Sequence, residues 1–150
     1  MGFRKQLCFS IVVLMLFLSA TAYCAERPVI KPRLASDPEA LPFSGAVLVG
    51  ETLYLSGDIG LDENQKIPDT AEAEARLVLN SIQATLKEAG MTMDDLAFVQ
   101  VFCTDVSYYD AFNSVYRNYF TKEFPARAFI GAGKLLFNAR FEVQAIAVKR

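Results

Sequence analysis

The chain has 150 residues, 53% of them hydrophobic and 21% charged, with 15 basic and 17 acidic side chains and no histidine. That length and balance suit one domain with its own core. The missing histidine excludes Ser-His-Asp and Cys-His nucleophile systems, histidine-bound zinc and imidazole acid–base pairs, and Lys and Arg scattered among acids with no basic run exclude the electrostatic footprint of a nucleic-acid binder.

In chain order, Arg4 and Lys5 precede an apolar stretch over 7–18 and the small residues Ser19, Ala20, Thr21 and Ala22. This is the order of a secretory signal. Residues 1–24 are therefore expected to be removed and the protein exported, periplasmic or secreted. The apolar stretch is shorter than the ~20 residues a bilayer requires, so no stable membrane span is expected after processing. Cleavage falls after Ala22 or after Cys24, and Tyr23 is a poor neighbour for lipid attachment at Cys24. With Cys8 and Cys24 in the leader, Cys103 stands alone. No internal disulfide is expected, and Cys103 reads as a small core residue. Of the 15 basic residues, loss of Arg4 and Lys5 leaves 13 against 17 acidic ones, a net charge of −4.

Residues 25–41, with Pro28, Pro32 and Pro38, read as an extended arm leading into a domain over 42–150. Two short apolar runs, 46–49 and 52–56, flank Gly50-Glu51 as a hairpin, and 57–66 has the chemistry of a surface loop. A helix is predicted over 69–89: Asp69 with Glu72 makes a capping-box pattern, Ala75, Leu79, Ile82, Leu86 and Ala89 form a stripe, and Gly90 stops it. A buried strand over 97–106 follows. Phe112, Val115, Tyr116, Tyr119 and Phe120 then give a second helix with an aromatic face.

Strands over 128–132 and 140–149 close the chain. The result is an α+β domain, one mixed sheet with two helices packed on one face. In the last strand, Phe141, Val143, Ala145 and Ala147 share one face, while Glu142, Gln144, Ile146 and Val148 share the other. No third layer remains to cover the partly apolar second face, which predicts self-association.

The chemistry concentrates at Arg127, which follows Phe124-Pro125-Ala126, and at Glu142 on an otherwise apolar strand. A guanidinium grips a carboxylate through two parallel charge-assisted bonds, and a carboxylate orients or deprotonates a water. The pair suggests a pocket for a small carboxylate. By themselves, Arg127 also reads as a solvated loop charge and Glu142 as a strand residue facing water or pairing with Arg140 or a neighbouring subunit. Asn113 and Ser56 read equally as local bonding and turn residues.

Several spaced motifs over 42–150 resemble the reactive-intermediate imine deaminases, the RidA or YjgF family. They are Pro42-Phe43-Ser44-Gly45-Ala46-Val47, Leu55-Ser56-Gly57, the stretch 101–105, Phe112-Asn113-Ser114-Val115-Tyr116 with Tyr119-Phe120, Phe124-Pro125-Ala126-Arg127, and Glu142-Val143-Gln144-Ala145-Ile146-Ala147. The resemblance implies a chorismate-mutase-like fold, a homotrimer with clefts between subunits, and hydrolysis of short 2-imino acids to 2-keto acids and ammonia with no metal or organic cofactor. It implies that Arg127 grips the substrate carboxylate and Glu142 positions the attacking water, with Ser56, Gly57 and Asn113 lining the cleft.

The chain departs from the family pattern at Phe43, where tyrosine is common, and at Ala128-Phe129, where a small polar residue and then cysteine or threonine usually stand. Asp58 and Gly60 replace a common glutamine and proline, and Gly131-Ala132-Gly133 is expected to make its strand less regular. Phe43 and Phe129 are thus candidate substrate contacts of altered character. The alternative reading is a non-catalytic carboxylate-binding or structural trimeric module of the same fold.

Overall fold

A computed structural model describes residues 27–33 and 41–150. The expected signal segment with Cys8 and Cys24, and most of the arm, lie outside the described residues. Among those described, eight regular elements follow in order: β1 (Val29–Ile30), β2 (Ala46–Val49), β3 (Thr52–Ile59), α1 (Ala71–Glu88), β4 (Leu96–Cys103), α2 (Tyr109–Tyr116), β5 (Ala126–Gly131) and β6 (Phe141–Val148). The strands form one mixed sheet in the order β1-β2-β3-β6-β4-β5, antiparallel except for the parallel β4–β5 pair. Among the described residues no helix is long and apolar enough to cross a membrane.

The alternation of β6 appears as expected: Phe141, Val143, Ala145 and Ala147 are buried, whereas Gln144 and Val148 are exposed. The buried row meets Leu79, Ile82 and Leu86 of α1 and Phe112 and Val115 of α2 in one core cluster. Cys103 belongs to it, its thiol donating to the Asp105 carbonyl at 3.0 Å, and burial pushes the thiol pKa up. The opposite face presents Tyr54, Phe98, Phe102, Ile130 and Ile146, half-buried or exposed, with no second layer upon it among the described residues.

Four boundaries differ from the sequence reading, each for a local reason. The arm contributes a short strand, Val29 pairing with Val47 and Ile30 with Ala46. Strand β3 runs past Ser56 to Ile59 because a register shift between Leu55 and Asp58 absorbs the glycine and lets pairing with β6 resume. Helix α1 is capped by Thr70, whose hydroxyl accepts from the Ala73 amide, and not by Asp69. Strand β5 begins at Ala126, so Arg127 lies inside the sheet and not in a loop before it. The end of α1 is as expected: Gly90 at φ +70° lets the Gly90 and Met91 amides return to the Lys87 and Leu86 carbonyls.

Among the described residues Glu74 is the one acidic side chain of the core, with 0% exposure. It occupies the inner stripe of α1 because both of its carboxylate oxygens are engaged. One oxygen takes the Arg140 and Phe141 amides at 2.6 and 3.0 Å, and the other takes the Arg140 guanidinium at 2.8 Å. The guanidinium also reaches the Pro68 and Asp69 carbonyls. Arg140 is therefore committed to Glu74 and not to Glu142.

Leaving amides and a guanidinium without their acceptor costs several kcal/mol in a dry site and less at a partly wet one. Arg140 is partly wet, so Glu74→Ala should lower the unfolding free energy by about 3 kcal/mol in urea titration, with Glu74→Gln losing less. A loss below about 1 kcal/mol would show that water replaces the carboxylate.

Candidate active site

The nominated residues fall into two groups. Phe43, Ser56, Gly57 and Glu142 line one cavity of about 250 Å³ together with Ile59 and Leu136. The β3 bulge makes this possible, since it turns the Ser56-Gly57 backbone beneath the Glu142 side chain. The missing side chain of Gly57 leaves the room that Glu142 takes: a β-carbon there would meet its carboxylate, which would have to swing aside. The Ser56 hydroxyl donates to the Ser44 carbonyl at 2.6 Å, which fixes the entry segment carrying Phe43 and leaves the hydroxyl oxygen as an acceptor only.

Burial, and then the nearby Asp58 carboxylate, push the Glu142 pKa above its ordinary value. Asp58 is itself raised by burial against the opposing hydrogen bonds from Ser81 and the Ile59 amide. Two carboxyls whose ionised forms disfavour one another each hold a proton more readily than an exposed carboxyl does.

Arg127 and Asn113 line a different cavity, of about 200 Å³, with Tyr109, Tyr116, Arg117, Phe124 and Pro125. The Arg127 guanidinium carbon lies 4.6 Å from the Tyr116 ring centroid, 5.7 Å from that of Tyr109 and 5.9 Å from that of Phe129. No carboxylate among the described residues pairs with it. A cation held against ring faces with its N–H edges unclaimed is ready for an anionic ligand. Burial drives the Tyr116 hydroxyl up to about 12 despite the neighbouring cation, so the phenol stays neutral.

Strand pairing decides how the two groups are related. Arg127 pairs with Val99, and Val99 with Ala145, on the helix-covered face. Glu142 pairs with Phe102 and Ile59, on the open face. The arginine and the glutamate therefore project from opposite faces of one sheet, and a single subunit does not bring them together. Phe129 shares the face of Arg127 and packs edge-on against Tyr109 and Phe112, at 5.1 and 5.8 Å between centroids.

Sequence reasoning put Tyr116 on the packed aromatic face of the second helix, and the structure buries it there, but that it also borders the Arg127 cavity was not seen, and Leu136 was passed over. The border role was discoverable from its spacing on the same helical face as Asn113, one turn away. Leu136 carried no signal, because it is brought in by a turn whose Phe137 and Asn138 adopt positive φ.

The family model described as Endoribonuclease L-PSP matches residues 35–149. A goat protein named 2-iminobutanoate/2-iminopropanoate deaminase is 38% identical over 118 residues, covering 77% of this chain and 86% of its own length. A RutC family protein of Sulfurisphaera tokodaii is 36% identical over 110 residues, 72% of this chain and 88% of its own. Among solved structures, RidA from an Antarctic Psychrobacter superposes with a TM-score of 0.74 at 29% identity, covering 81% of this chain and 99% of that one. E. coli TdcF with bound serine gives 0.74 at 26% identity, covering 82% and 100%.

The raised Glu142 carboxyl has a thermodynamic sign. Its folded form holds the proton more tightly than the unfolded chain does, so its contribution is fully present below the ordinary value of 4.5 and is lost as pH rises through the raised value. Side-chain carbon NMR should find Glu142 titrating above 4.5, and Asp58→Asn should bring it part of the way down, the share due to burial remaining. Titration at or below 4.5 would contradict the placement of the two carboxyls.

Proposed function

Because the chain belongs to the RidA/YjgF family, we propose that it hydrolyses small 2-imino acids to 2-keto acids and ammonia, without a cofactor, at clefts between the subunits of a homotrimer. The observation that carries this reading is the division of the site. An unpaired guanidinium on the covered face and a raised carboxyl on the open face complete one another only across a subunit boundary. The exposed apolar rows beside Glu142 supply the surface on which subunits meet.

In the proposed reaction Arg127 of one subunit grips the substrate carboxylate through its two free N–H edges, and the Asn113 carboxamide borders that cavity. Glu142 of the neighbouring subunit holds a water between its carboxylate and the C2 carbon of the imine. The Ser56-Gly57 backbone and Phe43 wall the space. As the water oxygen attacks C2 of the nitrogen-protonated imine, Glu142 takes one proton from the water and the C=N electron pair moves onto nitrogen, giving a carbinolamine. Glu142 then passes its proton to the departing nitrogen. The C–N bond breaks, ammonia leaves, and the remaining hydroxyl becomes the keto oxygen as its proton is released. A carboxyl whose pKa lies above the usual range serves both directions of transfer. Positioning of substrate and water supplies much of the remaining acceleration.

The test is ammonia release from freshly generated 2-iminobutanoate. Arg127→Ala and Glu142→Ala should each lose about a hundredfold or more in rate. Co-assembling the two inactive variants at equal amounts separates an inter-subunit site from one within a chain. In random trimers about three in four contain both variants, and each of those has one intact site of three, so about a quarter of the wild-type rate should return. Continued inactivity of mixed trimers would place both groups in one subunit, and a folded wild-type trimer that accelerates nothing would overturn the deaminase reading for this imine.

A further inference from the structure

We infer that the carboxylate site at Arg127 is built for 2-imino and 2-keto acids carrying an aromatic side chain. The inference rests on the carboxylate-binding reading of Arg127 and adds the class of side chain. Its basis is the wall of the cavity beside the guanidinium. Tyr109 and Phe124 flank that cavity while remaining 46% and 53% exposed. They are not isolated surface rings. Tyr109 abuts Phe129, which abuts buried Phe112, and Phe124 contacts Phe120 and stacks on Tyr116 at 6.2 Å with an interplanar angle of 23°.

A continuous aromatic cluster thus surfaces on two sides of an unpaired cation. Pro125 adds a third rigid apolar wall. The polar groups lining the same cavity are Asn113, Arg117 and the Arg127 guanidinium itself, besides the phenols. Carboxylate capture uses the in-plane N–H edges of the guanidinium and leaves the ring surfaces for whatever the carboxylate carries.

A methyl or ethyl group would leave those rings facing water. An aryl group has the flatness and quadrupole to meet them edge-on or offset, which strengthens contact beyond area alone. The positive charge beside the rings gives polarity to the arrangement: anion at the N–H edges of Arg127, aryl group against the exposed sides of Tyr109 and Phe124. This is charge and shape complementarity for an aryl 2-oxo acid, and the stable keto acid products report on it without turnover.

The experiment is isothermal titration of the full chain with phenylpyruvate and with 2-oxobutanoate. Phenylpyruvate should bind about tenfold more tightly. That ratio should fall toward one in Tyr109→Ala and in Phe124→Ala, and should persist in Tyr109→Phe, which keeps the ring. Arg127→Ala should abolish binding of both acids. Equal affinity for the two acids, or tighter binding of 2-oxobutanoate, overturns the aromatic preference and leaves the carboxylate site standing. A ratio that survives loss of both exposed rings overturns the preference in the same way. Failure of both acids to bind overturns the carboxylate site and the preference together.

Discussion

Everything about the open-face half of the site depends on one buried carboxylate. Glu74 sits on the inner stripe of α1 and binds the Arg140 side chain together with the backbone amides of Arg140 and Phe141, where β6 begins. It thereby fixes where β6 starts, and because side chains alternate along a strand, fixing the start decides which face Glu142 occupies. A slip of one residue would bury Glu142 against α1 and α2 and turn Val143 outward. The close approach of α1 to the end of β3 belongs to the same arrangement, since a β-carbon at Gly60 would sit 2.3 Å from the Glu74 carbonyl oxygen. A buried ion pair is weak evidence for net stability; what ties Glu74 to the register of β6 is its bonds to the Arg140 and Phe141 amides.

The separation of cation and carboxylate onto two faces has an electrostatic consequence. Were they adjacent within one chain, each would neutralise the other: the Glu142 pKa would fall and the guanidinium would lose its free edges. Within one subunit the sheet keeps them apart: burial, and then the Asp58 charge, raise Glu142, while Arg127 lies against aromatic rings. The departures from the family pattern bear unequally on this. Phe43 replaces a phenol at the mouth of the open-face cavity and removes a donor there. Phe129 packs behind Arg127 against Tyr109 and Phe112 and so shapes the covered-face half without occupying its opening.

Patterns of short period made much of this legible in the sequence. The hairpin at Gly50-Glu51, the stripe of α1, the aromatic face of α2 and the alternation of β6 all appear where periodicity and turn chemistry put them. What periodicity could not convey were features set by contacts distant in the chain. The β3 bulge lies where Gly57 passes under Glu142, which belongs to the last strand of the chain. Glu74 lay in view at the helical spacing of Ala71, Ala75 and Val78, yet a charge on an apolar stripe is ordinarily read as an edge position, and its partners lie far along the chain at the start of β6. All the candidate residues but Phe129 line one of two cavities, and their division between two faces required knowing that β5 pairs in parallel beside β4.

That parallel pair is also what gives the domain its directional character. An antiparallel β5 could have been joined to β4 by a tight turn, whereas a parallel one needs a crossover. The parallel crossover instead sends the chain through α2, which lies directly over Arg127 and supplies Asn113, Tyr109 and Tyr116 to its surroundings. The crossover therefore assembles the covered-face half from consecutive elements at the sheet edge, where β5 has no further strand beside it among the described residues. The open-face half comes from β3 and β6, inside the sheet and backed by the core. An edge position is accessible to a neighbouring molecule, and an interior position is rigid. Arg127 stands at the former and Glu142 at the latter, so the proposed reaction would have precision at the bond that changes and access at the substrate carboxylate, which does not.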